Sequence, residues 1–113
     1  MNTVKEVINE YNSKITDLDK EIPITNDVAV NACILKVMLD NRGIQAYDII
    51  ASPLGTIYFE WYNKNYSFGI SVGKTPIIEL EILNKNNYKS QITKHNMQDS
   101  DIEKLFEALK VLK

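Results

Sequence analysis

The chain predicts an α+β fold of two layers, in the order α-α-β-β-β-β-β-α, with helices packed on one face of a mainly antiparallel sheet. Three observations carry that prediction. The segments 57–62, 66–72 and 77–83 each alternate apolar and polar residues with period two, and turn residues separate them. Apolar residues recur at helical spacing before and after this block, behind Ser/Thr-x-x-Glu capping signals at Thr3 and Ser100. At 113 residues every element must share one core, so residues 1–113 are read as a single domain.

The first helix is expected over about residues 3–20. Val4, Val7, Ile8, Tyr11, Ile15 and Leu18 lie on one face, and Thr3 with Glu6 forms a capping box. Ile22-Pro23-Ile24 interrupts it, because proline disfavours helical backbone in the residue before it, and Thr25, Asn26 and Asp27 supply the next N-cap. The second helix runs to about Asn41. Its apolar residues, from Val28 and Val30 to Val37 and Leu39, cover most of its circumference, which in a non-membrane protein implies burial between layers or in an interface. Gly43 suits the left-handed position that ends it.

A first strand is expected over 44–50, ended by Ser52-Pro53-Leu54-Gly55. In the next, Ile57, Phe59 and Trp61 face the core while Tyr58, Glu60 and Tyr62 face out. Tyr66, Phe68, Ile70 and Val72 continue the inner face, leaving Ser67, Gly69 and Ser71 outside. Matching these faces requires an even loop about Asn63-Lys64-Asn65, and matching Val72 to Ile78, Leu80 and Ile82 requires an odd loop with Gly73 as a bulge residue. Glu79 and Glu81 are then outside. A last strand is expected over 88–94, with Tyr88 and Ile92 inward, Lys89 and Gln91 outward, and lysines suited to a sheet edge. Ser100 and Glu103 open the final helix, whose buried stripe is Ile102, Leu105, Phe106 and Leu109.

The strand Gly55-x-Ile57-x-Phe59-Glu60-Trp61, its short turn and the strand leading to Glu79 and Glu81 resemble small uncharacterised bacterial proteins in which a Gly-x-hydrophobic-x-hydrophobic-Glu-Trp strand begins a β-meander. The resemblance covers about residues 52–83. It implies the meander and brings with it no catalytic residue.

Composition narrows the classes of partner. Thirteen basic against fifteen acidic residues, net charge −2, give no global field toward nucleic acid or an anionic membrane. Arg42 is the sole arginine, which argues further against a nucleic-acid reader. One cysteine forms no internal disulfide and no thiolate zinc site, so a cytoplasmic setting is expected. No apolar stretch reaches signal or transmembrane length. The wealth of Asn, Lys, Ile and Tyr agrees with an AT-rich bacterial or phage genome.

Few residues offer chemistry. His95 stands in a polar context without a nucleophile or carboxylate placed beside it by any motif, and reads as a surface histidine. Cys33, inside the apolar helix, reads as buried and inert. Gly73-Lys74-Thr75 copies the end of a P-loop but lacks its upstream glycine and leads into a strand. No cofactor or metal motif is present.

The outer sheet face is the candidate binding surface: Tyr58, Glu60, Tyr62, Ser67, Ser71, Glu79 and Glu81 share its parity. The leading expectation is a non-enzymatic protein-interaction module, of the kind that serves bacteria or phages as a toxin-neutralising or defence-inhibiting accessory protein. It would bind through that face or through the second helix, which is also a candidate for homo-oligomerisation. The alternative is an enzyme or small-ligand protein using the outer carboxylates, with solvated strand glutamates as the plain reading of the same residues.

Overall fold

The computed structural model describes residues 3–15, 22–44 and 47–112. Helices α1 (Val4–Lys14) and α2 (Asn26–Asn41) precede strands β1 (Asp48–Ala51), β2 (Ile57–Tyr62), β3 (Tyr66–Val72), β4 (Ile77–Asn84) and β5 (Ser90–Asn96). Helix α3 (Ile102–Ala108) follows and tightens into a 3-10 turn at Leu109–Leu112. The five strands form one antiparallel sheet in sequence order, so each pairs with its chain neighbour. The predicted α+β architecture and element order hold.

Strand parity sets the core. Ile57, Phe59, Trp61, Phe68, Ile70, Val72, Ile78 and Leu80 are all buried on one face of the sheet. Tyr62 pairs with Ser67 and Ser71 with Glu79, which are the even and odd connections that matching apolar faces demands. The helical layer closes this face. Val28, Ala32, Leu35 and Leu39, at helical spacing on α2, are buried against the sheet, with Val4, Val7 and Ile8 of α1 and Ile102, Leu105 and Phe106 of α3 alongside. Polar ties fix the layer in place. Asn31 of α2 donates to Gly73 O and Thr75 O in the β3–β4 turn at 3.1 and 3.0 Å, and Asn12 of α1 exchanges two hydrogen bonds with the backbone of Ile24.

Five expectations need correction. Helix α1 ends at Lys14, with Ile15 already extended; the expected positions 16–20 lie outside the described residues. Strand β1 begins at Asp48 instead of residue 44: Ile44 is buried but its N–H bonds Leu39 O at 3.0 Å, so it completes the α2 terminus. Gly73, expected as a bulge residue, is not the left-handed glycine of a G1-type bulge, since Gly43 and Gly55 are the positive-φ glycines. The Ser100–Glu103 capping box does not form; Glu103 instead reaches Arg42 at 2.6 Å, and Arg42 lies 3.9 Å from the centre of the Phe106 ring.

The fifth correction concerns β5, whose parity is inverted. Tyr88 takes a left-handed φ of 58° in the β4–β5 turn, where its N–H bonds Asn84 O, so the strand starts later and every side chain changes face. Gln91, Thr93 and His95 pair with Ile82, Leu80 and Ile78 on the inner face, and Ile92 and Lys94 point outward beside Glu81 and Glu79.

Gly55, which opens β2, is required by geometry. Its φ is +78°, and a Cβ there would stand 2.9 Å from Ile22 Cγ2 and 3.1 Å from Pro23 O, in the segment whose Ile22 N–H bonds Pro53 O at 2.8 Å. Gly55→Ala should therefore lower the free energy of unfolding by about 1–3 kcal/mol in a urea titration. An unchanged midpoint would contradict this packing.

At the far end of α2, Lys36 and Tyr47 both bond Asp40, at 2.7 and 2.9 Å. The Lys36 hydrogen bond, aided by that of Tyr47, holds the Asp40 carboxyl below its ordinary value of 3.8. The unfolded chain then takes up this proton first on acidification, so Asp40 stabilises the fold above its unfolded pKa and loses that contribution as pH falls through its lower folded value. Urea titrations from neutral pH into acid should show a shallower loss of stability for Asp40→Asn than for the wild type.

Candidate functional site

On the outer face, cross-strand pairing lays the side chains in rows. One row runs Glu60, Gly69, Glu81, Ile92; the next runs Tyr58, Ser71, Glu79, Lys94. Long side chains on β2 and β4 thus stand on either side of a β3 that offers only hydrogen and hydroxymethyl groups. The result is a depression of about 310 Å³ lined by Tyr58, Glu60, Gly69, Ser71, Glu79, Glu81 and Ile92. A Cβ on Gly69 would meet nothing within 4 Å, so it is the absence of a side chain, and no backbone requirement, that leaves the floor open.

The Glu60 and Glu81 backbones lie two strand spacings apart, about 10 Å, with an open floor between them. Glu79 is 3.7 Å from Lys94 in a solvent-exposed ion pair that contributes little to stability. Carboxylates around an apolar wall, with the Tyr58 ring at the edge, suit a cationic group. Five of the seven predicted residues line this depression. Tyr62 and Ser67 form the adjoining row and do not: Lys85 Nζ sits 5.1 Å from the Tyr62 ring centre and donates to Asn63 O at 2.8 Å, so Tyr62 packs on the β2–β3 and β4–β5 turns. Ile92, assigned to the core by sequence, is the lining residue that sequence reasoning missed.

The second surface lies on the opposite layer. Helix α2 buries one side, so its remaining apolar residues face solvent: Val30, Ile34 and Val37 are 49%, 42% and 58% exposed. Of the two expected ways of covering this helix, burial between layers accounts only for the side that meets the sheet. Cys33 is likewise exposed instead of buried, since it projects from the same outer side. Together with Val4, Lys5, Ile8 and Asn9 of α1 and with Ile24, these residues line a groove of about 860 Å³. Its sides are almost wholly apolar, and Lys5 and the Asn9 and Asn26 amides stand among its polar groups.

His95 proves to be a structural residue, 6% exposed. Its Nδ1 lies 3.3 Å from the carbonyl oxygen of Asp101 and its Nε2 2.7 Å from Thr93 Oγ1. A carbonyl only accepts, so Nδ1–H donates to it, while Nε2 shares a hydrogen bond with the Thr93 hydroxyl. The Nδ1 contact joins β5 to the start of α3, and the Nε2 contact lies within β5. The surface reading, made from the polar Lys94-His95-Asn96 context, failed because the register of β5 sets His95 opposite Ile78 on the inner face. Among the described residues no three His, Cys, Asp or Glu side chains gather as a metal site, and no helix is long and apolar enough to cross a membrane.

Gly69→Ala tests the origin of the outer depression. The added methyl meets no neighbour, and replacing a strand glycine lowers the backbone entropy lost on folding, so unfolding free energy should rise by about 0.5–1 kcal/mol in denaturant titrations. A destabilised variant would mean that the backbone needs glycine at this position.

Family models, curated proteins and solved structures, each compared with the chain, provide no match.

Proposed function

We propose that the chain is a non-enzymatic protein-interaction module that receives its partner on the outer side of α2. One observation carries this reading: three large β-branched residues, Val30, Ile34 and Val37, are exposed side by side in an apolar groove. No packing among the described residues explains them. Helix propensity disfavours β-branched residues, and an exposed helical surface is ordinarily filled by Lys, Glu or Ala. Contiguous apolar surface of this kind marks a binding site for protein. The role as a bacterial or phage accessory protein acting in the cytoplasm, neutralising a toxin or inhibiting a defence system, accords with the strand resemblance and composition and belongs to the same proposal.

A second reading rests on the outer-face depression. Its concavity and its carboxylates favour a small cationic ligand or the basic side chain of a protein partner, held by Glu60, Glu79 and Glu81 against Tyr58. The two surfaces lie on opposite sides of the domain and are separable by substitution.

Val37→Glu should leave the unfolding free energy within about 0.5 kcal/mol of the wild type, because the residue is 58% exposed and packs on nothing essential. The same substitution should abolish retention of the partner when the immobilised chain is presented with lysate of its native host. Retention unchanged by Val37→Glu, but lost in Glu60→Gln/Glu81→Gln, would move the docking site to the outer sheet face.

A further inference from the structure

We propose that the occupant of the α2 groove is a second copy of this chain, docked by an antiparallel α2–α2 contact about a two-fold axis. This rests on the reading of α2 as a docking surface and names its partner. What singles out a second copy is the symmetry of the exposed stripe. Helix α2 spans Asn26–Asn41, and its midpoint falls between Cys33 and Ile34. Val30 and Val37 are equidistant from that point, Asn26 and Asn41 are the two ends, and Cys33 and Ile34 flank the centre, so the outer two pairs match in residue type and the central pair does not.

A two-fold contact sets residue i of one chain against residue j of the other and j against i, and therefore needs a patch complementary to itself. Laid antiparallel, Val30 of one copy meets Val37 of the other, Cys33 and Ile34 straddle the axis, and Asn26 meets Asn41, so amides pair with amides at both ends. A foreign helix would require no such matched pairs. The three- and four-residue spacing is that of a helix–helix seam crossing at a shallow angle. Antiparallel alignment also opposes the helix dipoles favourably.

Charge agrees with this arrangement. Between Val28 and Leu39 the sole charged residue of α2 is Lys36, which is bound to Asp40 at 2.7 Å, so the central turns of α2 bring no unpaired like charges to the seam. Sixteen residues make a helix about 24 Å long. A contact made by one helix of this length and its copy is small for a specific interface, so the dimer should be concentration-dependent.

Sedimentation velocity over a concentration series up to ~1 mM should show a monomer–dimer equilibrium in the wild type, weakened about 30-fold or more by Val37→Glu. Register is tested in a Cys33→Ser background under mild oxidation. A mixture of Val30→Cys and Val37→Cys chains should form the mixed disulfide, whereas either chain alone should remain uncrosslinked, because like positions lie about 10 Å apart along the helix axis. Crosslinking of Val30→Cys with itself would overturn the antiparallel register. A wild type that stays monomeric throughout overturns the self-docking. If Val37→Glu nevertheless abolishes retention of another protein, the docking reading survives that result; monomer together with unchanged retention removes both.

Discussion

The inner face of the sheet carries Ile57, Phe59, Trp61, Phe68, Ile70, Val72, Ile78 and Leu80, and a sheet this apolar on one side folds only if a helical layer removes that face from water. Five strands spaced about 4.8 Å apart are wider than one helix. Hence α2 lies over the middle against β3, while α1 packs beside β1 and α3 beside β5. Such a layer is one helix thick. Whatever α2 turns away from the sheet has nothing among the described residues stacked over it, and its sequence places valine and isoleucine there. The exposed stripe is thus a consequence of the two-layer design combined with an apolar content greater than one layer can bury.

The same constraint explains how α2 is held. Its start is tied by Asn31 to the β3–β4 turn, and its end by Lys36, Asp40 and Tyr47 on one side and by Arg42 with Glu103 and Phe106 on the other. Tyr47 packs against both Phe59 and Trp61 with ring centres 5.4 Å apart, and burial raises the pKa of its hydroxyl while that hydroxyl donates to Asp40. These ties lie along the sides and ends of the helix. They leave the outer stripe unencumbered and its backbone fixed, which is the preorganisation that a docking surface needs.

Much of this was legible in the sequence wherever a period could be read against a required partner. The alternation of β2, β3 and β4 dictated their inner faces, and the demand that those faces match dictated the parity of both connections. Legibility ended where one residue decided the frame. Tyr88, in a left-handed turn that propensity does not signal for tyrosine, displaced the β5 frame by one, and with it went Ile92 to the outer depression and His95 into the core. For α2, sequence revealed too many apolar residues for one face but not which of them the sheet would take. The depression was foreshadowed by shared parity of Tyr58, Glu60, Ser71, Glu79 and Glu81; its concavity depends on the alignment of Gly69 between Glu60 and Glu81, a matter of register.

Register also governs how the two surfaces relate. The glutamates and Gly69 project from the face of the sheet opposite the helices, whereas Val30, Ile34 and Val37 project from the side of the helical layer opposite the sheet. An antiparallel α2 contact therefore buries the helical layers at the centre of a dimer and leaves both outer depressions facing away from each other, unobstructed and related by the same two-fold axis. In that arrangement the apolar surface that a thin layer cannot cover is covered by its own copy, and the carboxylate-lined faces become a symmetric pair. A partner that itself presents two basic groups would then gain from engaging both faces at once, since the second contact is made at a high effective concentration set by the rigid spacing of the two sheets. The apolar stripe on α2 and the carboxylates on the sheet, unrelated in the chain and on opposite layers, would in this way act in one binding event.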